Sequence, residues 1–216
     1  MSMDGRNWMI PCGCGFIGAR LISALKMAGV GGIRVVDNLS VGTRADLLSV
    51  TKFEVLNPTM IDFPKPNRDV QLLVADINDT ETMMRAATDQ HVVVHLAANA
   101  GVGPSVENPR KDCLTNVFGT LNILEAARHA KAERLVFASS GAPIGEVEPP
   151  IHEELAAHPS SPYGASKLAG EGYCSAYWRT FGLDTVALRF GNVYGTGSGH
   201  KTSGVANFIR RPRAVA

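Results

Sequence analysis

The chain lacks what would mark it for a bilayer, a nucleic acid or a disulfide framework. No apolar run approaches the roughly 20 residues that span a membrane. The opening residues MSMDGRNWMI contain no charged region followed by an apolar one, so no secretion signal is expected, and a cytoplasmic protein is. An excess of one charge is also missing. Lys and Arg number 21 against 20 Asp and Glu, a net of +1. That removes the basic field that would draw nucleic acid or an acidic membrane surface. Cysteine is scarce, at four: Cys12, Cys14, Cys113 and Cys174. The C-x-C pair has no second cluster at ligand spacing, so the expectation is thiols in a reducing compartment and no metal. The six histidines form no H-x-x-x-H or H-E-x-x-H pattern.

What is present is ordinary globular composition. The 216 residues are 45% hydrophobic and 19% charged, enough to bury one sizeable core in one large domain. Short apolar runs predict strands at 8–11, 33–37, 70–75, 92–97, 134–139 and 185–190. Helical patterns lie at 16–28, 80–88, 109–130 and 162–181. Near-continuous apolar strands alternating with helices predict a parallel sheet covered on both faces. Right-handed crossovers then give a doubly wound α/β, Rossmann-type fold. Residues 51–69, TKFEVLNPTMIDFPKPNRD, hold three prolines and only one strand-like run, and read as an insertion between the second and third predicted strands with no assigned place.

The stretch MIPCGCGFIGARL, residues 9–21, falls where a dinucleotide-binding turn belongs, after the first strand and opening the first helix. Gly15 and Gly18 have the expected spacing, but Cys12 stands where the first glycine should be. That first glycine serves a tight bend at backbone angles a Cβ makes costly. Strain in the bound loop of about 1–3 kcal/mol would weaken binding about 5- to 150-fold. Asp37, at the end of the second strand, can accept hydrogen bonds from adenosine ribose hydroxyls and repel a 2′-phosphate, which favours NAD over NADP. Asp76, after the third predicted strand, is placed to reach the adenine. Either aspartate could instead be a turn cap.

Residues 163–167, YGASK, set a tyrosine and a lysine at i and i+4 on one helical face. A free phenol has a pKa of about 10. An ammonium about 5 Å away, at an effective dielectric of about 20, supplies about 3 kcal/mol and lowers the phenol pKa by about two units. Tyr163 could thus act as a general acid–base tuned by Lys167. Ser139 and Ser140 end the fifth predicted strand, at the edge of the sheet where ligands bind in such folds, and a hydroxyl there can hydrogen-bond a reacting alcohol or ketone.

In sequence order, CGFIGARL, VVDNLSVGTR, ADIND, VVHLAANAGV, LTNVFGTLNILEAAR, LVFASSG, SPYGASKLAGE and LRFGNVYGTG resemble the extended short-chain dehydrogenase/reductases, in particular the NAD-dependent epimerase/dehydratase group acting on nucleotide sugars. The resemblance implies that Gly13, Gly15, Phe16, Ile17 and Gly18 cradle the pyrophosphate. It places Asp37, Asn38 and Ser40 at the adenosine ribose, and Asp76 and Ile77 at the adenine. Leu96, Ala97 and Ala98 would line the cofactor groove, with Asn116 supporting it. Ser140, Tyr163 and Lys167 match the catalytic triad. Phe190 would sit near the nicotinamide, and Asn192 would meet the substrate's phosphates.

The chain departs from the pattern in three places. Pro11-Cys12-Gly13 replaces Thr-Gly-Gly, and Ile144-Gly145 replaces a tyrosine-glycine pair. After NVYG, only HKTSGVANFIRRPRAVA stands where the family has a substrate lobe. The expectation is an NAD-binding domain over 1–195 and a remnant of that lobe over 196–216, with Arg210, Arg211 and Arg213 in a solvated tail. Family dehydratases carry an acidic pair after the serine or threonine, whereas this chain has Gly141 and Ala142. The implied activity is therefore nucleotide-sugar epimerisation, by oxidation and re-reduction of a sugar hydroxyl. The alternative is a truncated NAD-binding domain with little or no activity. A homodimer is expected through 109–130 and 162–181, with Ala169, Gly170 and Gly172 permitting close packing.

Overall fold

The computed structural model describes residues 5–195. The predicted lobe remnant and its arginines lie outside them. Seven strands form one sheet: β1 (Asn7–Pro11), β2 (Gly32–Asp37), β3 (Glu54–Leu56), β4 (Val70–Val74), β5 (Val92–His95), β6 (Arg134–Ser140) and β7 (Asp184–Phe190). Their order is β3-β4-β2-β1-β5-β6-β7, and every pairing is parallel. The helices are α1 (Phe16–Met27), α2 (Arg44–Leu48), α3 (Thr80–Ala87), α4 (Val102–Glu107), α5 (Pro109–Cys113), α6 (Gly119–His129) and α7 (Pro162–Phe181). A π-helical turn, Leu114–Phe118, joins α5 to α6 with helical backbone throughout. The predicted helix 109–130 is therefore one rod with a π turn in its middle.

The strands read as apolar runs because helices cover both faces. Ile10, Ile33, Val35, Leu47 and Leu72 pack with Ile22 and Leu25 of α1 on one side. Leu73, Met83, Val93, Ile123, Leu124 and Phe137 fill the other, beneath α3, α6 and α7. The order in which strands are added reverses between β1 and β5, and the crevice at the carboxyl ends of these strands is where such sheets bind ligands.

Two sequence expectations need correction. Residues 51–69 are not an unplaced insertion: Glu54–Leu56 adds an edge strand parallel to β4, and the return to β4 is anchored by Arg34. The short helices α2 and α4 also escaped the periodicity, being only five and six residues long. By contrast, α7 has the predicted ends. Ser161 caps it through a hydrogen bond from the Gly164 amide, Pro162 fills the first turn, and Gly182 closes it at φ 72°.

Candidate functional site

β1 ends at Pro11, and α1 begins after Gly15, whose glycine cap offers the first helical turn no side-chain oxygen. That leaves a helix N-terminus suited to an anion at the sheet's crevice. Gly18 is required by packing. A Cβ there would lie 2.5 Å from the Gly13 Cα and 2.6 Å from the Cys12 carbonyl oxygen. Gly13 is pressed against Val35 in the same way, at 2.7 Å. Cys12 itself has φ 67°, in the left-handed region. The bend that a first glycine would serve is therefore made here by a cysteine.

Asp37 is buried, and both its oxygens hold loop amides, Cys14 N–H at 2.9 Å and Leu39 N–H at 2.9 Å. Burial raises its pKa, and the two amides oppose the rise. The carboxylate has lone pairs left for a further donor, so it can shape the loop and still accept from a ligand. Asn38 is exposed and donates to Asp76 at 2.9 Å, while its own oxygen accepts from the Ser40 amide at 3.1 Å. Asp76 also holds the Asn78 amide, and these hydrogen bonds together lower its pKa although burial alone would raise it. Ile77 is in the core at 6% exposure, with its carbonyl taken by Asn122. Its side chain is structural.

Leu96, Ala97 and Ala98 follow β5 and are half-buried, with the Leu96 amide donating to the Pro11 carbonyl at 3.1 Å. Asn116 sits in the π turn and holds this segment from beneath. Its oxygen accepts from Asn99 N–H at 2.8 Å, and its amide donates to Asp112 at 2.9 Å and Ser166 at 3.0 Å. Asp112 and Ser166 were not among the candidates. The only signal for Asp112 was its i, i+4 spacing to Asn116, and Ser166 lay within the Y-x-x-x-K motif itself.

Lys167 is 2% exposed and donates to the Ala138 carbonyl at 2.8 Å. Its ammonium lies 5.9 Å from the Tyr163 ring centre. Burial pulls the lysine pKa down to about 8, with Asp112 opposing. The Tyr163 pKa is raised, first by burial, with the Ser140 hydroxyl pulling it down and Asp112 adding to the rise. The two-unit depression expected from Lys167 is thus not met. Burial of the phenol governs the shift, and the ammonium is turned to a backbone carbonyl. Ser140 ends β6 half-buried and accepts from the Ala142 amide at 3.2 Å. Phe190 ends β7, with its carbonyl accepting from Gly141 at 3.0 Å. Asn192 is exposed beyond it.

One more network ties β6 and α7 together. Glu171, one turn beyond Lys167 on α7, accepts from Ser139 on β6 and from two guanidinium nitrogens of Arg189 on β7, at 2.9 and 2.7 Å. The strand that carries Ser140 is so clamped to the helix that carries Tyr163. Among the described residues no cluster of side chains could hold a metal ion, and no helix is long and apolar enough to cross a membrane.

The sequence profile of the NAD dependent epimerase/dehydratase family matches residues 12–214. A UDP-glucose 4-epimerase of Mycolicibacterium smegmatis is 35% identical over 190 residues, covering 87% of this chain and 56% of that protein. The solved UDP-glucose 4-epimerase of Thermus thermophilus, a complex with NAD, superposes with a TM-score of 0.79 at 37% identity, covering 95% of this chain and 62% of that one. The Thermotoga maritima UDP-glucose 4-epimerase, solved with UDP-glucose, gives a TM-score of 0.79 at 32% identity, with coverage of 95% and 62%. The chain spans a little over half the length of the curated relatives it matches.

Proposed function

The chain belongs to the NAD-dependent epimerase/dehydratase family, and from that premise we propose that its site binds NAD and is built to epimerise a nucleotide sugar. The observation that carries the reading is the placement of Tyr163 and Lys167 on α7, with Ser140 at the end of β6, beside the crevice that faces the open N-terminus of α1. The residues fit a dinucleotide. Gly15 leaves the helix end uncapped, Gly18 brings α1 against the β1 loop, and Asp37 stands at the tip of β2.

NAD, when bound, supplies a reversible hydride acceptor and ends the cycle as it began. Tyr163 would take the proton of the sugar hydroxyl and later return it. Ser140 would hydrogen-bond the same oxygen and hold it at the phenol. Lys167, fixed by Ala138, would keep a positive charge beside the phenol. Burial raises the Tyr163 pKa and the Ser140 hydrogen bond opposes the rise; a cationic nicotinamide nearby would lower it further. Gly141 and Ala142 carry no proton to drive an elimination, which favours epimerisation over dehydration. Asn192 would meet the sugar nucleotide's phosphates. A second reading, an NAD-binding unit with little or no turnover by itself, is favoured by the span of 56% of a curated relative. Nucleotide-binding energy that positions the sugar is needed for catalysis, and this chain spans a little over half the length of such proteins.

Calorimetry of residues 1–216 is expected to show one NAD per chain. UDP-glucose and UDP-galactose interconversion is expected to be slight or absent, and any that appears should vanish in Tyr163→Phe while NAD affinity stays within about threefold. Absence of NAD binding would overturn the proposal. Interconversion that survives Tyr163→Phe would overturn the assigned base.

A homodimer and a cytoplasmic location belong to the same proposal. Leu114 and Phe118, half-exposed at 49% and 53%, and Tyr173 at 38% supply an apolar surface on the rod 109–129 and α7. Gly170 does not belong to that surface. A Cβ there would meet the Phe137 ring at 2.5 Å, so its smallness serves the core. Phe118→Glu is expected to convert a dimer to a monomer in sedimentation at micromolar concentration. A wild-type monomer would count against pairing.

A further inference from the structure

Ser139 and Arg189 stand directly opposite each other in the β6–β7 register, and Ser140 and Phe190 form the next pair along. Side chains alternate along a strand, and both members of the first pair turn towards α7. There they share one carboxylate, that of Glu171. Two strands thus meet at one side chain of the helix that carries Tyr163. The meeting point is largely closed to water: Ser139 is 4% exposed and the Glu171 side chain 13%.

An ion pair in such a place is weak evidence for stability, because desolvation offsets much of the attraction. Its geometry points to another use. Arg189 binds the two Glu171 oxygens side by side, Nε to Oε1 at 2.9 Å and Nη2 to Oε2 at 2.7 Å, which fixes the plane of the carboxylate. The third guanidinium nitrogen, Nη1, is buried with no partner among the described residues. The arginine is therefore committed to Glu171. Strand pairing fixes β6 against β7 within the sheet, but it leaves open how far the sheet stands from the helix. That spacing is set from α7: by Gly170 against the Phe137 ring, by Lys167 on the Ala138 carbonyl, and by Glu171 on the Ser139 hydroxyl. The last contact falls on the residue next to Ser140, whose hydroxyl lies within hydrogen-bonding reach of the Tyr163 phenol.

We propose that Glu171 is a positioning residue for Ser140: braced by Arg189, it fixes the distance at which β6 presents the Ser140 hydroxyl to Tyr163. The proposal rests on the roles given to Ser140 and Tyr163 above. It makes the Glu171–Ser139 bond the means of action and Arg189 the brace.

Neither cofactor nor turnover is needed to test it. With the tyrosines carrying 13C at Cζ, the Tyr163 resonance is assigned by its loss in Tyr163→Phe. At neutral pH its chemical shift reports hydrogen bonding at the phenol oxygen. Ser140→Ala removes the hydroxyl and sets the full displacement. Glu171→Ala and Ser139→Ala are each expected to give at least half of it, in the same direction. Added to Ser140→Ala, neither is expected to move the resonance further, because changes that act through one contact do not add. Glu171→Gln keeps an acceptor for Ser139. It is expected to hold the resonance at its wild-type position while melting about 2–4 °C lower, since the charge that pairs with Arg189 is lost. Ser139→Ala leaves the ion pair in place, so it decides the matter if Glu171→Ala does not fold. A Tyr163 resonance unmoved in Ser139→Ala overturns the proposal and leaves the ion pair a matter of stability. A displacement in Glu171→Ala that adds in full to that of Ser140→Ala also overturns it, since Glu171 would then reach the phenol by another route. Calorimetry of the wild-type chain with NAD is read separately: its failure would remove the cofactor reading and leave the Tyr163 resonance to decide the role of Glu171.

Discussion

Gly18→Val is expected to abolish NAD binding and to lower the melting temperature by roughly 2–12 °C. The Cβ of any residue at 18 would stand 2.5 Å from the Gly13 Cα, 2.6 Å from the Cys12 carbonyl oxygen and 2.7 Å from the Gly13 carbonyl oxygen. All three are backbone atoms of the loop, so no side-chain rotation relieves the overlap. Either α1 moves off the sheet or the 11–15 loop moves off α1, and in both cases the helix end no longer faces the crevice. Overpacking of this kind costs about 1–3 kcal/mol. At about 2–4 °C per kcal/mol for a chain of this size, that gives the expected shift in melting. Gly103→Ala is the control. Nothing lies within 4 Å of its added Cβ, and its effect is expected to stay within about 0.5 kcal/mol. Thermal melting and calorimetric titration with NAD check both variants. Wild-type affinity in Gly18→Val would show that the close approach of helix and loop is not what presents the helix end.

Local signals served well wherever the answer was itself local. α7 was legible from end to end, because its cap serine, first-turn proline and terminal glycine are all written next to the helix they bound. β1, β2, β5 and β6 were legible because burial on both faces leaves continuous apolar runs. β3 was legible only as one strand-like run without a place: in Glu54-Val55-Leu56 only Leu56 is buried, so no buried face assigns it to the sheet. The need for a left-handed bend at position 12 was readable from the family pattern. That the cysteine already adopts it was not, because strain is a property of the folded loop. The tyrosine–lysine pair was found by its spacing, yet the direction of the Tyr163 pKa was missed. Its governing cause is burial by elements distant in sequence, with Asp112 adding to it. Asn116 came from resemblance, and its reason became visible only with the π turn that aims it at Asn99.

The same distinction applies to Arg34 of β2. Arg34→Leu is expected to lower the melting temperature by about 10 °C and to release the 57–69 connection. The side chain is 0% exposed. Its Nη1 donates to the carbonyls of Ala86 at 2.8 Å and Thr88 at 3.2 Å, its Nη2 to that of Pro64 at 2.7 Å, and its Nε to the Gln71 amide oxygen at 3.2 Å. The plane also lies over Phe63, 5.6 Å from the ring centre. Burial lowers the guanidinium pKa to about 10, with Asp89 opposing, so the group stays charged at neutral pH. Replacing a buried ion pair by apolar residues can be neutral when both partners are removed together. Here the partners are main-chain carbonyls from the end of α3 and the β3–β4 connection, and they remain in place. Each buried acceptor left without a donor costs about 1–3 kcal/mol, so a total of at least about 3 kcal/mol is expected. Arg34→Lys should recover little of it, because one ammonium cannot span acceptors that a planar fork reaches on two elements. Thermal melting gives the global effect, and proteolysis under native conditions locates it, with first cleavage expected between 57 and 69. A variant that melts within 2 °C of wild type and is cut no faster there would show that the connection is held by Phe63 and its neighbours, and not by the arginine.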